Sequence, residues 1–283
     1  MNIRQLIPSF VKKVIKSLIP VSVIDQWEII TGQRDSMTPP TRLHFVGGGD
    51  FKNQGIAFLQ RFKEIGKLKP TDNVLDIGSG VGRMALPLTS YLSPTSRYEG
   101  IEIVKDGVDW CNEHIADKHP NFHFQHLNLY NKRYNPTATL RSSELTFPFP
   151  PETFDFIFLT SVFTHMFEKD IARYLSEMYR VLKPNGRVYL TIFLLNPTSR
   201  QLIAEGKSSI IFLPFTSSSM VESHEAPENA IAFDEHVILD MLTKTGFTLD
   251  GPIHYGYWAG RGDFYDYQDT IIVTKPDSAT EKN

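Results

Sequence analysis

The run Asn73-Val-Leu-Asp-Ile-Gly78-Ser-Gly80-Val-Gly82 constrains this chain more than any other feature. A short strand pattern leads straight into three glycines at alternate positions. Glycine tolerates positive φ and lets backbone N–H groups approach a ligand, so the turn predicts a cofactor site between a strand and a helix. Alone it is a weak signal, but its surroundings agree with it. From about residue 73, short apolar runs alternate with helical segments, the pattern of βαβ units on a parallel sheet. Strands are predicted over 73–78, 97–102, 122–126, 154–160 and 187–193. The fourth, Phe154-Asp-Phe-Ile-Phe-Leu-Thr160, is almost wholly apolar, as a strand covered on both faces must be. Ile171, Leu175, Met178 and Leu182 share one helical face, and Lys183-Pro-Asn-Gly186 predicts a turn into the fifth strand. A helix over 234–245 ending at Gly246, then strands near 247–250 and 269–274, complete the set.

The spacing narrows the ligand. Dinucleotide binders use G-x-G-x-x-G and aim a helix N-terminus at a pyrophosphate. Here the spacing is G-x-G-x-G, with Asp76 two residues ahead of Gly78. A carboxylate in that place repels a pyrophosphate and suits a cationic amino group. Glu102 stands at the end of the second strand, 102 − 78 = 24 residues after the first glycine. A carboxylate there accepts from the hydroxyls of a ribose. An amine at one end and a ribose at the other favour S-adenosylmethionine over a nicotinamide dinucleotide.

Val74-Leu-Asp-Ile-Gly-Ser-Gly-Val-Gly-Arg83 resembles the first motif of class I S-adenosylmethionine-dependent methyltransferases. The resemblance continues in family order through Tyr98-Glu-Gly-Ile-Glu-Ile103, Phe154–His165 and Val181-Leu-Lys-Pro-Asn-Gly-Arg187, covering about residues 70–195. It implies an α/β fold, a seven-stranded Rossmann-like sheet, mostly parallel with the last strand antiparallel and helices on both faces. It also implies S-adenosylmethionine as cofactor and S-adenosylhomocysteine as product. Carried over by position, Asp76, Gly78, Ser79, Gly80, Gly82 and Arg83 form the turn around the methionyl end. Glu102 takes the ribose, Ile103 packs on adenine, Asn128 and Leu129 meet the adenine edge, and Thr160 lies beside the amino group. Many family members carry aspartate where Asn128 stands, and asparagine still accepts through its carbonyl oxygen.

Other residues carry two readings each. His165, after the fourth strand, is either a general base for the acceptor or a structural pocket residue. In His254-Tyr-Gly-Tyr-Trp-Ala-Gly-Arg261, Tyr255, Tyr257, Trp258 and Arg261 either wall a pocket for a planar or apolar acceptor or close the core. Arg42–Phe51, with three consecutive glycines, either folds over the cofactor carboxylate or is a flexible connection. Leu145–Pro151 reads as a rigid surface loop.

Composition sets the outer limits. Net charge is −3 and 41% of residues are hydrophobic, so no global field favours nucleic acid. A base-flipping Asn-Pro-Pro-Tyr-like motif is also missing after the fourth strand, where Thr160-Ser-Val-Phe163 stands. Nine histidines suggest a metal, but His123 and His126 face opposite sides of a strand and no ligand set has useful spacing, so no metal is expected. The lone Cys111 excludes an internal disulfide framework and fits a cytoplasmic protein. Residues 3–19 form a short amphipathic pattern with Lys12, Lys13 and Lys16 on one side. It is too short and charged to span a bilayer, and reads as a cap on the core or a weak membrane contact.

The expected organisation is a helical N-terminal cap over 1–70, a methyltransferase domain over 71–275 with a lid-like insertion near 196–232, and a tail over 276–283. The expected reaction is S_N2 transfer of a methyl group to an oxygen or nitrogen of a small-molecule acceptor. A non-catalytic S-adenosylmethionine-binding protein, a protein-directed methyltransferase and a nicotinamide oxidoreductase are the alternatives. The acceptor pocket is expected to come from 1–70, 196–232 and 252–268.

Overall fold

A computed structural model describes residues 21–32, 34–40, 43, 50–132 and 134–277. The amphipathic pattern at 3–19 and the glycines of the 42–51 cluster lie outside the described residues, as does the tail beyond 277.

The sheet runs β1 (Val74–Ile77), β2 (Tyr98–Glu102), β3 (Phe122–His126), β4 (Phe154–Leu159) and β5 (Leu182–Leu195), in spatial order β3-β2-β1-β4-β5. These five are parallel throughout. Alternation along each strand divides the core in two. Leu75, Ile77, Ile157 and Leu159 enter one apolar cluster, and Val74, Phe156 and Phe158 the other. Helix α1 (Val21–Ile30) precedes helix α2 (Phe51–Glu64), which covers the second face. On α2, the Phe62 ring packs tilted 4.5 Å from Phe158 and edge-on 4.9 Å from Tyr189, centroid to centroid. Two short helices, α3 (Ala85–Leu88) and α4 (Lys105–Cys111), lie on the same side, α4 running on into a π-helical turn at Asn112–Ala116. Helix α5 (Glu168–Val181) covers the opposite face with Ile171, Leu175, Met178 and Val181, all buried.

Strand β5 begins five residues before the predicted fifth strand. Lys183–Gly186 are not a free turn but a register shift between Phe154 and Phe156 of β4, with Asn185 at φ +62°. Two carboxylate contacts fix this irregularity, because Lys183 Nζ lies 2.9 and 2.8 Å from the Asp155 oxygens.

At its other end β5 outruns its neighbours and the sheet forks. Residues 187–192 of β5 pair antiparallel with β10 (Asp269–Thr274), which pairs in turn with β9 (Thr248–Leu249). Residues 193–195 instead pair parallel with β8 (Ile231–Asp234), and β7 (Ser219–Val221) and β6 (Leu213–Pro214) follow antiparallel. The main path with β10 and β9 is the seven-stranded arrangement the sequence implies, its last strand antiparallel. Three short strands from 213–234 make the branch, a continuation of the sheet within the segment expected as a lid-like insertion. Helix α6 (Pro197–Ala204) leads into it, capped by Asn196, whose side chain accepts from Ser199 N at 3.0 Å. Helix α7 (Glu235–Thr245) follows the branch and stops at Gly246, φ +103°.

Candidate functional site at the carboxyl ends of the parallel strands

A cavity of about 750 Å³ opens at the carboxyl ends of β1, β2 and β4, where open α/β sheets bind ligands. The Gly-rich turn forms its floor. Gly78 and Gly80 have φ of +80° and +56°, left-handed values that favour glycine. A Cβ built on Gly80 meets no atom within 4 Å, so the turn faces open space there. Ser79 Oγ is buried without a hydrogen-bond partner among the described residues.

Glu102 ties the turn to β2. Its Oε2 accepts from Gly80 N at 2.8 Å, and its Oε1 from Ile103 N at 2.7 Å and Val104 N at 2.9 Å. Three of about four lone-pair sites are thereby used, and the capacity that remains is on Oε2. Burial pushes the Glu102 carboxyl above its ordinary range, against the pull of these three N–H groups. Asp76 is 2% exposed and accepts from Tyr98 Oη at 2.6 Å. Burial first, and then the Glu102 charge, push its carboxyl up to about 8 although the Tyr98 hydroxyl opposes this. The Tyr98 hydroxyl and the Cys111 thiol are pushed up as well, by burial and by the Asp76 charge. Burial thus favours the protonated form of Asp76 at neutral pH.

Ile103 and Thr160 line the cavity as the sequence suggested, as does Arg83, whose Nη1 donates to Gln54 Oε1 on α2 at 2.6 Å. Gly55 makes this approach feasible, since a Cβ there would sit 2.4 Å from the Arg83 carbonyl oxygen. His165 also lines the cavity, and its Nδ1 lies 2.8 Å from the Glu228 carbonyl oxygen. A carbonyl only accepts, so Nδ1 carries the proton in this contact.

Several sequence-derived positions fall outside the cavity. Gly82 packs behind it, where a Cβ would meet Ile115 Cδ1 at 2.5 Å. Asn128 is exposed and its Oδ1 accepts from Asn135 Nδ2 at 3.0 Å, while Leu129 is buried in the core. Leu127 faces the cavity instead, one residue beyond the end of β3. Of Tyr255, Tyr257 and Trp258, Tyr257 alone lines it. Trp258 is fully buried and donates to Asp269 Oδ2 at 2.7 Å. Tyr255 donates to Glu235 Oε2 at 2.9 Å, with the Arg261 guanidinium 4.4 Å over its ring. Arg261 itself donates to Asn196 Oδ1 at 2.9 Å, so this pair fastens α6 to α7. No described residue of 196–232 lines the cavity.

What sequence reasoning missed is the wall opposite the glycines. Gln54, Phe58 and Arg61 come from one face of α2, Ser161 from just beyond β4, Thr191 from within β5, and Gln268 from the residue before β10. The 54/58/61 spacing is a helical face and was readable as such, but it carries no motif. Among the described residues no group of three or more His, Cys, Asp or Glu side chains is arranged to hold a metal ion, and no helix is long and apolar enough to cross a membrane.

Comparison with known proteins agrees with this architecture. A family model described as "Methyltransferase domain" matches residues 75–190. Demethylmenaquinone methyltransferase of Symbiobacterium thermophilum is 27% identical over 133 residues, covering 47% of this chain and 46% of that protein. A ubiquinone/menaquinone biosynthesis C-methyltransferase of Geotalea daltonii is 28% identical over 151 residues, covering 51% and 57%. The chain thus spans about half the length of these curated relatives. Among solved structures, a SAM-dependent methyltransferase from Methanosarcina mazei superposes with a TM-score of 0.50 at 22% identity, covering 77% of this chain and 97% of that one. The 1,6-didemethyltoxoflavin-N1-methyltransferase of Burkholderia thailandensis, solved with 1,6-didemethyltoxoflavin and S-adenosylhomocysteine, gives 0.50 at 16%, covering 89% and 86%. Residues 75–190 thus match the methyltransferase-domain family, and the sheet that carries them has the fold of the S-adenosylmethionine-dependent methyltransferase structures on which it superposes.

Proposed function

We propose that this chain transfers the methyl group of S-adenosylmethionine to an oxygen or nitrogen atom of a small, planar or apolar acceptor. The observation that carries the reading is one cavity with Asp76 on one side of an open glycine turn and Glu102 on the other. The donor set fits the cofactor: a carboxylate for the ammonium, a fixed carboxylate oxygen for a ribose hydroxyl, and Ile103 and Leu127 for the adenine faces. Thr160 sits with Asp76 at the methionyl end. The cofactor, when bound, supplies an electrophilic sulfonium methyl group.

The chain's own task is alignment and exclusion of water. Its cavity is of the size that encloses a ligand of this class, within the ~300–1,000 Å³ usual for such sites. Phe58, Tyr257 and the aliphatic lining leave the acceptor little freedom to turn away from an in-line approach. His165, which lines the cavity, is the group we assign to take the acceptor proton as the nucleophile's lone pair is committed.

The test is calorimetry of S-adenosylhomocysteine and NAD on the full chain, with a radiolabelled methyl-donor assay over phenols, catechols and aromatic amines. Binding of S-adenosylhomocysteine but not NAD, with turnover of at least one acceptor class, is expected. Preference for NAD, or tight binding with no turnover, overturns the reading. In the same assay, His165→Ala keeps the affinity and loses turnover by about a hundredfold or more if His165 is the base.

A pH dependence follows from Asp76. Its carboxyl is held at about 8 in the ligand-free protein, and a ligand ammonium beside it favours the charged form. Binding at pH 7 then releases a proton from Asp76, and affinity rises as pH rises towards 8. Calorimetry at pH 7 in two buffers of different ionisation enthalpy reads the released proton directly. Identical heats in both buffers would show that Asp76 does not face the ammonium.

A further inference from the structure

We propose that Gln268 selects the methyl acceptor by donating hydrogen bonds to an oxygen that lies close to the acceptor's nucleophilic atom. The proposal rests on the methyltransferase reading for the identity of the ligand, and on a separate piece of geometry for its chemistry.

That geometry begins at Ser161, which follows Thr160 beyond the end of β4. Ser161 is not glycine, yet its φ is +59°. A side-chain-bearing residue held in the left-handed region marks a place where surrounding structure overrides local preference, and such places cluster at functional sites. Here the turn aims both polar groups of Ser161 at one wall. Its N–H donates to Thr191 Oγ1 at 2.8 Å, and its hydroxyl to Gln268 Oε1 at 3.1 Å. Thr191 Oγ1, already an acceptor, sends its own hydrogen to Gln268 Oε1 at 2.6 Å.

The two hydroxyl donors fix which end of the amide is which. Oxygen faces Thr191 and Ser161, so nitrogen faces away from them, on a residue that lines the cavity. Among the described residues no acceptor pairs with Gln268 Nε2. Two oriented N–H donors are therefore presented from a preorganised support. The charged groups of the same wall do not compete with them. Arg61 and Asp266 neutralise each other through an ion pair of 3.0 Å, and the Arg61 guanidinium lies 4.9 Å over the Phe58 ring. Discrimination on this wall falls to the direction of hydrogen bonding, and the donors match a carbonyl, carboxylate or deprotonated hydroxyl on a planar or apolar body.

Gln268→Glu is the decisive variant. It keeps shape and both accepted hydroxyl bonds, and replaces the two N–H donors by an acceptor. The probes are benzoate, acetophenone and benzylamine, measured by ligand-observed NMR on the full chain with and without saturating S-adenosylhomocysteine. The wild type is expected to bind benzoate and acetophenone in preference to benzylamine. Gln268→Glu is expected to reverse that order, changing the benzoate-to-benzylamine ratio by about tenfold or more, the scale of a hydrogen bond with a charged partner. Gln268→Leu should lose the benzoate preference without gaining one for benzylamine, which separates donor chemistry from the added charge. Unchanged selectivity in either variant, or no benzoate or acetophenone binding to the wild type, overturns the proposal. Failure of S-adenosylhomocysteine to bind overturns the methyltransferase reading instead, and the ligand-free arm still reads Gln268. Equal melting temperatures and equal S-adenosylhomocysteine affinity in the three proteins show that the fold and cofactor end are intact.

Discussion

Glu102→Ala is expected to weaken S-adenosylhomocysteine binding by about ten- to hundredfold, the loss of a hydrogen bond to a charged acceptor worth ~1.5–3 kcal/mol. Two effects combine in this number. The first is direct, because Oε2 holds the acceptor capacity left for a ribose hydroxyl. The second acts through the turn. Gly80 N, Ile103 N and Val104 N all donate to this carboxylate, and alanine leaves three N–H groups to find other partners. The turn then loses the contact that joins the ends of β1 and β2. Glu102→Gln separates the two effects, since its one carbonyl oxygen can keep either the Gly80 bond or the pair of bonds to 103 and 104. Its affinity should fall between wild type and alanine. Calorimetry beside a urea titration checks this, and unchanged affinity in Glu102→Ala would mean that the carboxylate serves only the turn.

The strands β1 to β4 and helix α5 were legible because each is decided by a local period and a continuous apolar surface. Phe154–Leu159 can only be a covered strand, and the Ile171/Leu175/Met178 face can only be a core-facing helix. The Gly-rich turn and Glu102 were legible for a different reason: a fixed number of residues separates two strand ends that the parallel sheet brings side by side. Elsewhere the lining differs from the reading by one or two positions. Leu127 lines the cavity while Asn128 and Leu129 do not, and Tyr257 lines it while Trp258 does not. Beyond the end of a strand, direction is set by partners distant in sequence, and a slip of one position moves a side chain to the other side. For Trp258 the deciding partner is Asp269, which no local pattern reveals.

The branch β6–β8 was unreadable for a related reason. Its strands are two to four residues long, one contains Pro214, and none shows an alternation strong enough to stand above Ser- and Pro-rich surroundings. They exist because β5 extends past β4 and leaves the backbone groups of 193–195 to be paired. The same forked strand lets β10 enter alongside 187–192, bringing Gln268 next to Thr191 at the cavity wall. Acceptor chemistry thus depends on a junction created by strand length, which no motif encodes.

Trp258→Ala should cost about 4–6 kcal/mol of folding stability, a large part of the ~5–15 kcal/mol typical of a domain. Trp258 is fully buried, its ring centroid 5.0 Å from Phe193 and 5.4 Å from Phe212. Truncation leaves a large void between aromatic rings, which accounts for ~3–5 kcal/mol. It also removes a donor from Asp269, a buried carboxylate that accepts from Trp258 Nε1, Leu194 N and Gly256 N at 2.7, 2.8 and 2.7 Å. Burial raises the Asp269 carboxyl to about 6 in spite of these three donors. A raised carboxyl stabilises the fold fully below its unfolded value near 4, and that contribution is lost as pH rises through about 6. Trp258→Phe keeps most of the ring and removes one donor from the ionised form, so Asp269 rises further. Its destabilisation should therefore be greater at pH 7.5 than at pH 5, and Trp258→Ala, which loses the same donor, should show that increment on top of a void cost that does not change with pH. Urea titrations of the two variants at these pH values make the comparison. A loss below about 1 kcal/mol for Trp258→Ala would be incompatible with a fully buried indole, and a Phe variant indifferent to pH would show that the Asp269 carboxylate does not depend on the indole N–H.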